Sequence, residues 1–222
     1  MGTDAHVAKS CTGEQDFYGL ILERIDGRPM RLARYWGQVL LVVNVASRSP
    51  LATTHLRELQ SLHERYNEVG LKVMGFPCND FGGMEPWDDG RIQDHYERTL
   101  GLSFTLFSKV SIAREPRHPL FAMLARAAEV PRDVGGMPPH ARLAREPATT
   151  AGSQGPVHDN FEKFLVGRDG RLLHRFGPEI PPQAPQVLTA LEQALGVARN
   201  GLSAAAASVG RSFQLASHSS LT

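Results

Sequence analysis

Six side chains in this sequence have types that could do chemistry: Ser49, Cys78, Asp80, His158, Asp159 and Asn160. A serine attacks an acyl carbon when a base takes its proton, and His158 beside Asp159 supplies the residue types for such a relay. Ser49 is flanked by Arg48 and Pro50, so no Gly-x-Ser-x-Gly elbow surrounds it. A cysteine such as Cys78 does redox chemistry through its thiolate, and otherwise packs as a small buried residue. Asp80, His158 and Asp159 also form an oxygen and nitrogen set of the kind that binds a divalent metal, although solvated loop acids are commoner. His55 and His63, eight residues apart, read as surface residues of one helix.

The hydrophobic pattern gives the elements that must position these residues. Phe17–Ile25 is apolar and is broken by Asp26-Gly27, a hairpin turn signal, before a short strand around Pro29–Leu32. Val39–Val45 (VLLVVNV) is a continuous aliphatic run, which predicts a strand buried on both faces. Ser49 follows it in a loop, Ala46–Thr54. Leu56, Leu59, Leu62, Tyr66 and Val69 recur at helical spacing and are stopped by Gly70. Leu71–Phe76 is a second buried strand, so strand, helix and strand make a right-handed βαβ unit with a parallel pair. Cys78 and Asp80 follow that strand, at the start of a Gly-, Asp- and Pro-rich loop.

Helices are predicted over Arg91–Leu100 and His118–Glu129, then a long loop over 131–156 with room for one helical turn around His140–Ala144. Lys163–Val166 and Leu172–Phe176 flank Arg168-Asp169-Gly170-Arg171, a second hairpin, and Gln186–Leu195 is a closing helix. This order predicts an α/β fold of thioredoxin-like type: a mixed central sheet flanked by helices, with an N-terminal β-hairpin. Residues 1–15 read as a flexible polar tail, 16–198 as one domain, and 199–222 as a disordered Ala/Ser-rich tail.

Three segments resemble glutathione peroxidases, and the resemblance covers roughly residues 16–196. Asn44-Val45-Ala46-Ser47-Arg48-Ser49 is similar to the family's Asn-Val-Ala-Ser-x-(Cys or selenocysteine). Phe76-Pro77-Cys78-Asn79-Asp80-Phe81-Gly82, followed by Glu85-Pro86, looks like its FPCNQFG loop. Asp159-Asn160-Phe161-Glu162-Lys163-Phe164-Leu165-Val166 resembles WNFEKFLV. The resemblance implies thiol-dependent reduction of hydrogen peroxide and organic hydroperoxides in the oxidative stress response. It also implies no resident cofactor, glutathione or thioredoxin as reducing co-substrate, and a hydroperoxide as the other partner. The implied catalytic positions are Ser49, Asp80, Asp159 and Asn160, with Cys78 as a further redox candidate. Only Asn160 keeps the family type, for the other three stand where the family has Cys or selenocysteine, Gln and Trp. An alcohol does not cycle through a sulfenic state, and two carboxylates aimed at one site would repel an anion there. These replacements predict weak or no peroxidase activity; the alternative is a non-catalytic thioredoxin-fold binding or regulatory module. Family members with a longer insertion near 131–157 form tetramers, which leaves a homo-oligomer open.

The chain has 222 residues, 41% of them hydrophobic and 21% charged, which suits one globular domain. A net charge of +1 gives no electrostatic reason to bind nucleic acid or an anionic membrane. Its two cysteines, Cys11 and Cys78, cannot form a disulfide framework or a Cys-rich zinc site, and the count fits a reducing compartment. Residues 1–15 have no apolar run, and Val39–Val43 is too short to span a bilayer, so the expected location is the cytoplasm.

Overall fold

The computed structural model describes residues 17–129 and 156–197. Cys11, both predicted tails and nearly all of the 131–156 loop lie outside the described residues. The first hairpin pairs β1 (Ile21–Glu23) with β2 (Pro29–Arg31) around Asp26-Gly27, where Gly27 takes a φ of 77°. Then come β3 (Val39–Val45), α1 (Ala52–Tyr66) and β4 (Leu71–Pro77). A short helix α2 (Asp89–Gln93) runs on into a π-helical stretch, Asp94–Thr99. β5 (Thr105–Leu106), α3 (Pro119–Glu129), β6 (Lys163–Val166), β7 (Leu172–Phe176) and α4 (Pro185–Leu195) complete the order.

The main sheet is mixed, in the order β5-β4-β3-β6-β7. β3 pairs parallel with β4 and antiparallel with β6, and every residue of β3 is buried, as its aliphatic run predicts. Alternation along β3 splits the interior in two. Val39, Leu41, Val43 and Val45 join Leu56, Leu59, Leu62 and Tyr66 of α1, together with α4. Leu40 and Val42 join Met74, Phe76, Phe121 and Phe164 in the second core. Each fully buried aliphatic side chain of this kind contributes about 1.5–3 kcal/mol. Among the described residues no helix is long and apolar enough to cross a membrane.

Three details depart from the sequence reading. β5 is only two residues long and leaves no periodic signal. α1 begins at Ala52 rather than after Thr54, and Val69 lies beyond its end, 36% exposed. His55 is not a surface residue: it is 3% exposed and packs edge-on against Phe161 at 5.3 Å. Burial, with the nearby Lys163 ammonium, pushes its imidazole down to about 4. His63 is half-buried and is also lowered, chiefly by burial.

Candidate functional site

Because β3 and β4 run parallel from Val39 and Leu71 to Val45 and Pro77, their carboxyl ends share one edge of the sheet. Ligands of open α/β sheets bind outside that edge. The 46–51 and 78–88 loops leave from it, and the 156–162 segment returns to it before β6.

Ser49 sits just before α1. Its Oγ accepts the Leu51 N–H at 3.3 Å and its carbonyl accepts the Ala52 N–H at 3.0 Å. Buried Glu85 holds the turn in front of it. Glu85 Oε2 accepts the Ser47 N–H at 2.8 Å and the Tyr96 O–H at 3.0 Å, and Oε1 accepts the Ser47 O–H at 2.8 Å. The Arg48 N–H donates to the Met84 carbonyl at 3.0 Å, and the Glu85 N–H to Asn79 Oδ1 at 2.9 Å. Burial first, then the Glu85 charge beside it, pushes the Tyr96 phenol well up.

Asp80 is held by the 111–114 segment. Its Oδ2 accepts from the Ile112 N–H at 2.6 Å, the Ala113 N–H at 2.9 Å and the Ser111 hydroxyl at 3.1 Å, with Arg114 3.8 Å from Oδ1. Burial alone would raise this carboxyl. The amides of Ala113 and Ile112, the Ser111 hydroxyl and Arg114 outweigh it, so the group is held below the usual value. Asp159 is exposed, and its Oδ1 accepts the N–H of Asn160 at 2.7 Å. Each of the two carboxylates thus has its own backbone donors, and among the described residues neither hydrogen-bonds Ser49. The sequence could not show this, because the 111–113 amides that capture Asp80 are some thirty residues away.

Asn160 is 1% exposed and ties the third segment to the second, donating from Nδ2 to the Phe81 carbonyl at 3.1 Å. Its Oδ1 is buried without a partner. The segment is built on Asn44 of β3, which donates to the Asp159 carbonyl at 2.9 Å and accepts the Glu162 N–H at 3.0 Å. The Asn44 carbonyl accepts the Phe161 N–H at 2.7 Å. Phe161 is held at a φ of 67°, a left-handed conformation that costs a non-glycine residue about 1–3 kcal/mol. Buried Lys163 donates to the Phe161 carbonyl at 2.6 Å, and burial lowers its amine to about 7 although Glu179, Glu162 and Glu58 raise it. A buried Arg175–Glu162 ion pair at 2.6 Å fixes the approach to the segment.

Cys78 lies in the second core, 0% exposed, with its N–H donating to the Val45 carbonyl at 3.0 Å. Burial, only partly offset by nearby amides, pushes its thiol up to about 12, which agrees with the packing reading and not with a thiolate. His158 is exposed; its backbone N–H donates to Glu162 Oε1 at 2.6 Å, and its ring makes no bond to Ser49. No group of three or more His, Cys, Asp or Glu among the described residues is arranged to hold a metal ion.

Beside the site, the guanidinium groups of Arg48 and Arg91 lie over the Trp87 ring, 5.5 Å and 4.6 Å from its centre. It lines an open groove of about 330 Å³ with Arg91, Asp94, His95, Arg98 and Thr99. The sequence reading missed Asn44, Glu85, Tyr96 and Lys163 as parts of this edge. Three of them lie inside the quoted motifs, but nothing in the motifs says which way they point.

A mixed sheet with helices on both faces and loops gathered at the carboxyl edge of its parallel pair is the thioredoxin-like fold. A solved structure described as "Trgpx in apo form" superposes with a TM-score of 0.58 at 24% identity, covering 82% of this chain and 97% of the other. A thiol:disulfide interchange protein of the thioredoxin family from Chlorobium tepidum TLS superposes at 0.53 and 12% identity, covering 79% and 92%. Residues 17–125 match the glutathione peroxidase family model. Thioredoxin/glutathione peroxidase BtuE of Escherichia coli (strain K12) is 36% identical over 183 residues, 79% of this chain and 94% of its own. Hydroperoxy fatty acid reductase gpx1 of Synechocystis sp. (strain ATCC 27184 / PCC 6803 / Kazusa) is 36% identical over 165 residues, 74% and 88% respectively. The chain belongs to the glutathione peroxidase family.

Proposed function

We propose that this protein keeps the scaffold of a hydroperoxide-reducing family while its own thiol-dependent peroxidase activity is weak or lost. Ser49 carries the reading: it stands in the place of the reacting Cys or selenocysteine, and its Oγ is an alcohol accepting an N–H bond at 3.3 Å. Peroxide reduction of this kind needs a polarisable anion that attacks the O–O bond, expels water or an alcohol, and is itself oxidised to a sulfenic or selenenic acid for thiols to reduce. A serine offers neither the anion near neutral pH nor the oxidation step. Asp80 and Asp159 add to this. In place of an amide and an indole they offer acceptors, and both are occupied by backbone donors. Cys78 does not supply the missing thiolate, since burial holds its proton.

The test is consumption of hydrogen peroxide and of a lipid hydroperoxide with glutathione or thioredoxin as donor. The expected result is turnover far below that of an intact family member; comparable turnover overturns the reading. Ser49→Cys alone should recover little. Ser49→Cys with Asp80→Gln and Asp159→Trp should recover more, and equal recovery by both would refute the role given to the two acids.

A second reading, a non-catalytic binding or regulatory module, is favoured by the Trp87 groove beside the site. Its mixed lining of Arg91, Arg98 and Asp94 suits a small zwitterionic peptide. With glutathione as the probe, wild-type tryptophan fluorescence should respond and Trp87→Phe should not; an unchanged response in Trp87→Phe discards this reading.

A further inference from the structure

Among the described residues, every long-range hydrogen bond of the 46–51 loop goes to Met84 or Glu85: Arg48 to the Met84 carbonyl, and both donors of Ser47 to the Glu85 carboxylate. Ser49 itself makes only local bonds, to Ala46, Leu51 and Ala52. Glu85 is 0% exposed, and its two oxygens meet three donors, the third being the Tyr96 hydroxyl. Such an arrangement uses a carboxylate for its geometry, since only a carboxylate accepts from all three at once, and an amide would have to reverse the bond to the Ser47 hydroxyl. We propose that Glu85 is a positioning residue for position 49. By gripping Ser47 through two bonds, it holds the side chain at 49 against the amino end of α1, and Tyr96 serves the grip without setting the placement.

We take from the reading above only that position 49 is where a reacting group belongs. A thiol introduced there reports the placement directly, because a thiolate is favoured by proximity to a helix amino end. Two accounts of Glu85 then predict opposite signs. If Glu85 positions the loop, Glu85→Gln lets position 49 drift from the helix end, and the thiol titrates higher. If Glu85 acts only as a nearby negative charge, removing it makes the thiol titrate lower.

The experiment uses the full chain carrying Cys11→Ser and Ser49→Cys, with iodoacetamide alkylation followed against pH and buried Cys78 as the unreactive internal control. Adding Glu85→Gln should move the alkylation midpoint up by about one pH unit and slow the reaction at pH 7 by up to about tenfold. Tyr96→Phe, which leaves both Ser47 bonds in place, should leave the midpoint where it was while lowering thermal stability. A downward shift with Glu85→Gln, no shift, or the same shift with Tyr96→Phe would overturn the assignment. If Glu85→Gln does not fold, Ser47→Ala, which removes only the hydroxyl bond, must give a smaller upward shift. Alkylation needs no peroxide, so wild-type turnover would sink the proposed function without altering this result, and an absent shift would sink the positioning role alone.

Discussion

Two acids of the 78–88 loop, Asp80 and Glu85, sit five residues apart and take different attachments. Glu85 turns inward and grips Ser47 beneath position 49, fully buried and with three donors. Asp80, its side chain 9% exposed, instead gathers Ser111, Ile112 and Ala113. Around Glu85 the bonds that hold the 46–51 loop are dense and buried on the carboxylate side. At Asp80, a position that the family resemblance assigns to peroxide chemistry, the carboxylate anchors another loop.

The sharpest way to break this comparison is to delete each acid. Glu85→Ala leaves three donors without their acceptor, the two of half-buried Ser47 and the buried Tyr96 hydroxyl, and should cost about 3 kcal/mol or more, read as a lower urea midpoint at unchanged slope. Asp80→Ala removes a similar number of bonds, but Ala113 is exposed and water can replace part of the loss, so about 1–2 kcal/mol is expected. Equal costs would mean that the two acids do not differ in kind.

A pH series asks whether the groups behind the site also shape stability. Lys163 titrates near 7 when folded and at 10.5 as a free side chain, so between those values the unfolded chain binds the extra proton. Stability should therefore rise with pH from about 7 to 10.5, and Lys163→Met should flatten that rise in thermal melts. His55 and His118, both lowered to about 4, act the same way between about 4 and 6.5. Asp80, held low, contributes in the other sense: its stabilisation is present above its unfolded value and lost as pH falls through the folded one. Asp80→Asn should remove that part of the acid loss. The smallest effect belongs to Asp159→Asn. This acid is exposed and bonded to its neighbouring amide, so a change within about 0.5 kcal/mol is expected, measured by the same urea titration.

Much of the fold is legible in the residues themselves. The unbroken run Val39–Val45, the helical spacing of Leu56, Leu59, Leu62 and Tyr66, and the Asp-Gly turns at 26–27 and 169–170 specify the strands, the crossover helix and both hairpins through local periodicity and turn chemistry. β5 was not legible, because two residues carry no period. Nor was the burial of His55, whose helix face meets Phe161 from a distant segment.

By itself, then, the sequence determined the order of the elements and the residue types brought to the carboxyl edge, including a serine at 49 and acids at 80 and 159. Tertiary structure alone decided which way those acids point, that Cys78 is sealed in a core, and that Glu85 and Asn44 brace the site. The reason is physical. Strand and helix periods are fixed by the backbone and appear in the sequence, whereas a loop side chain takes its direction from the donors that folding brings beside it, and those come from segments far along the chain.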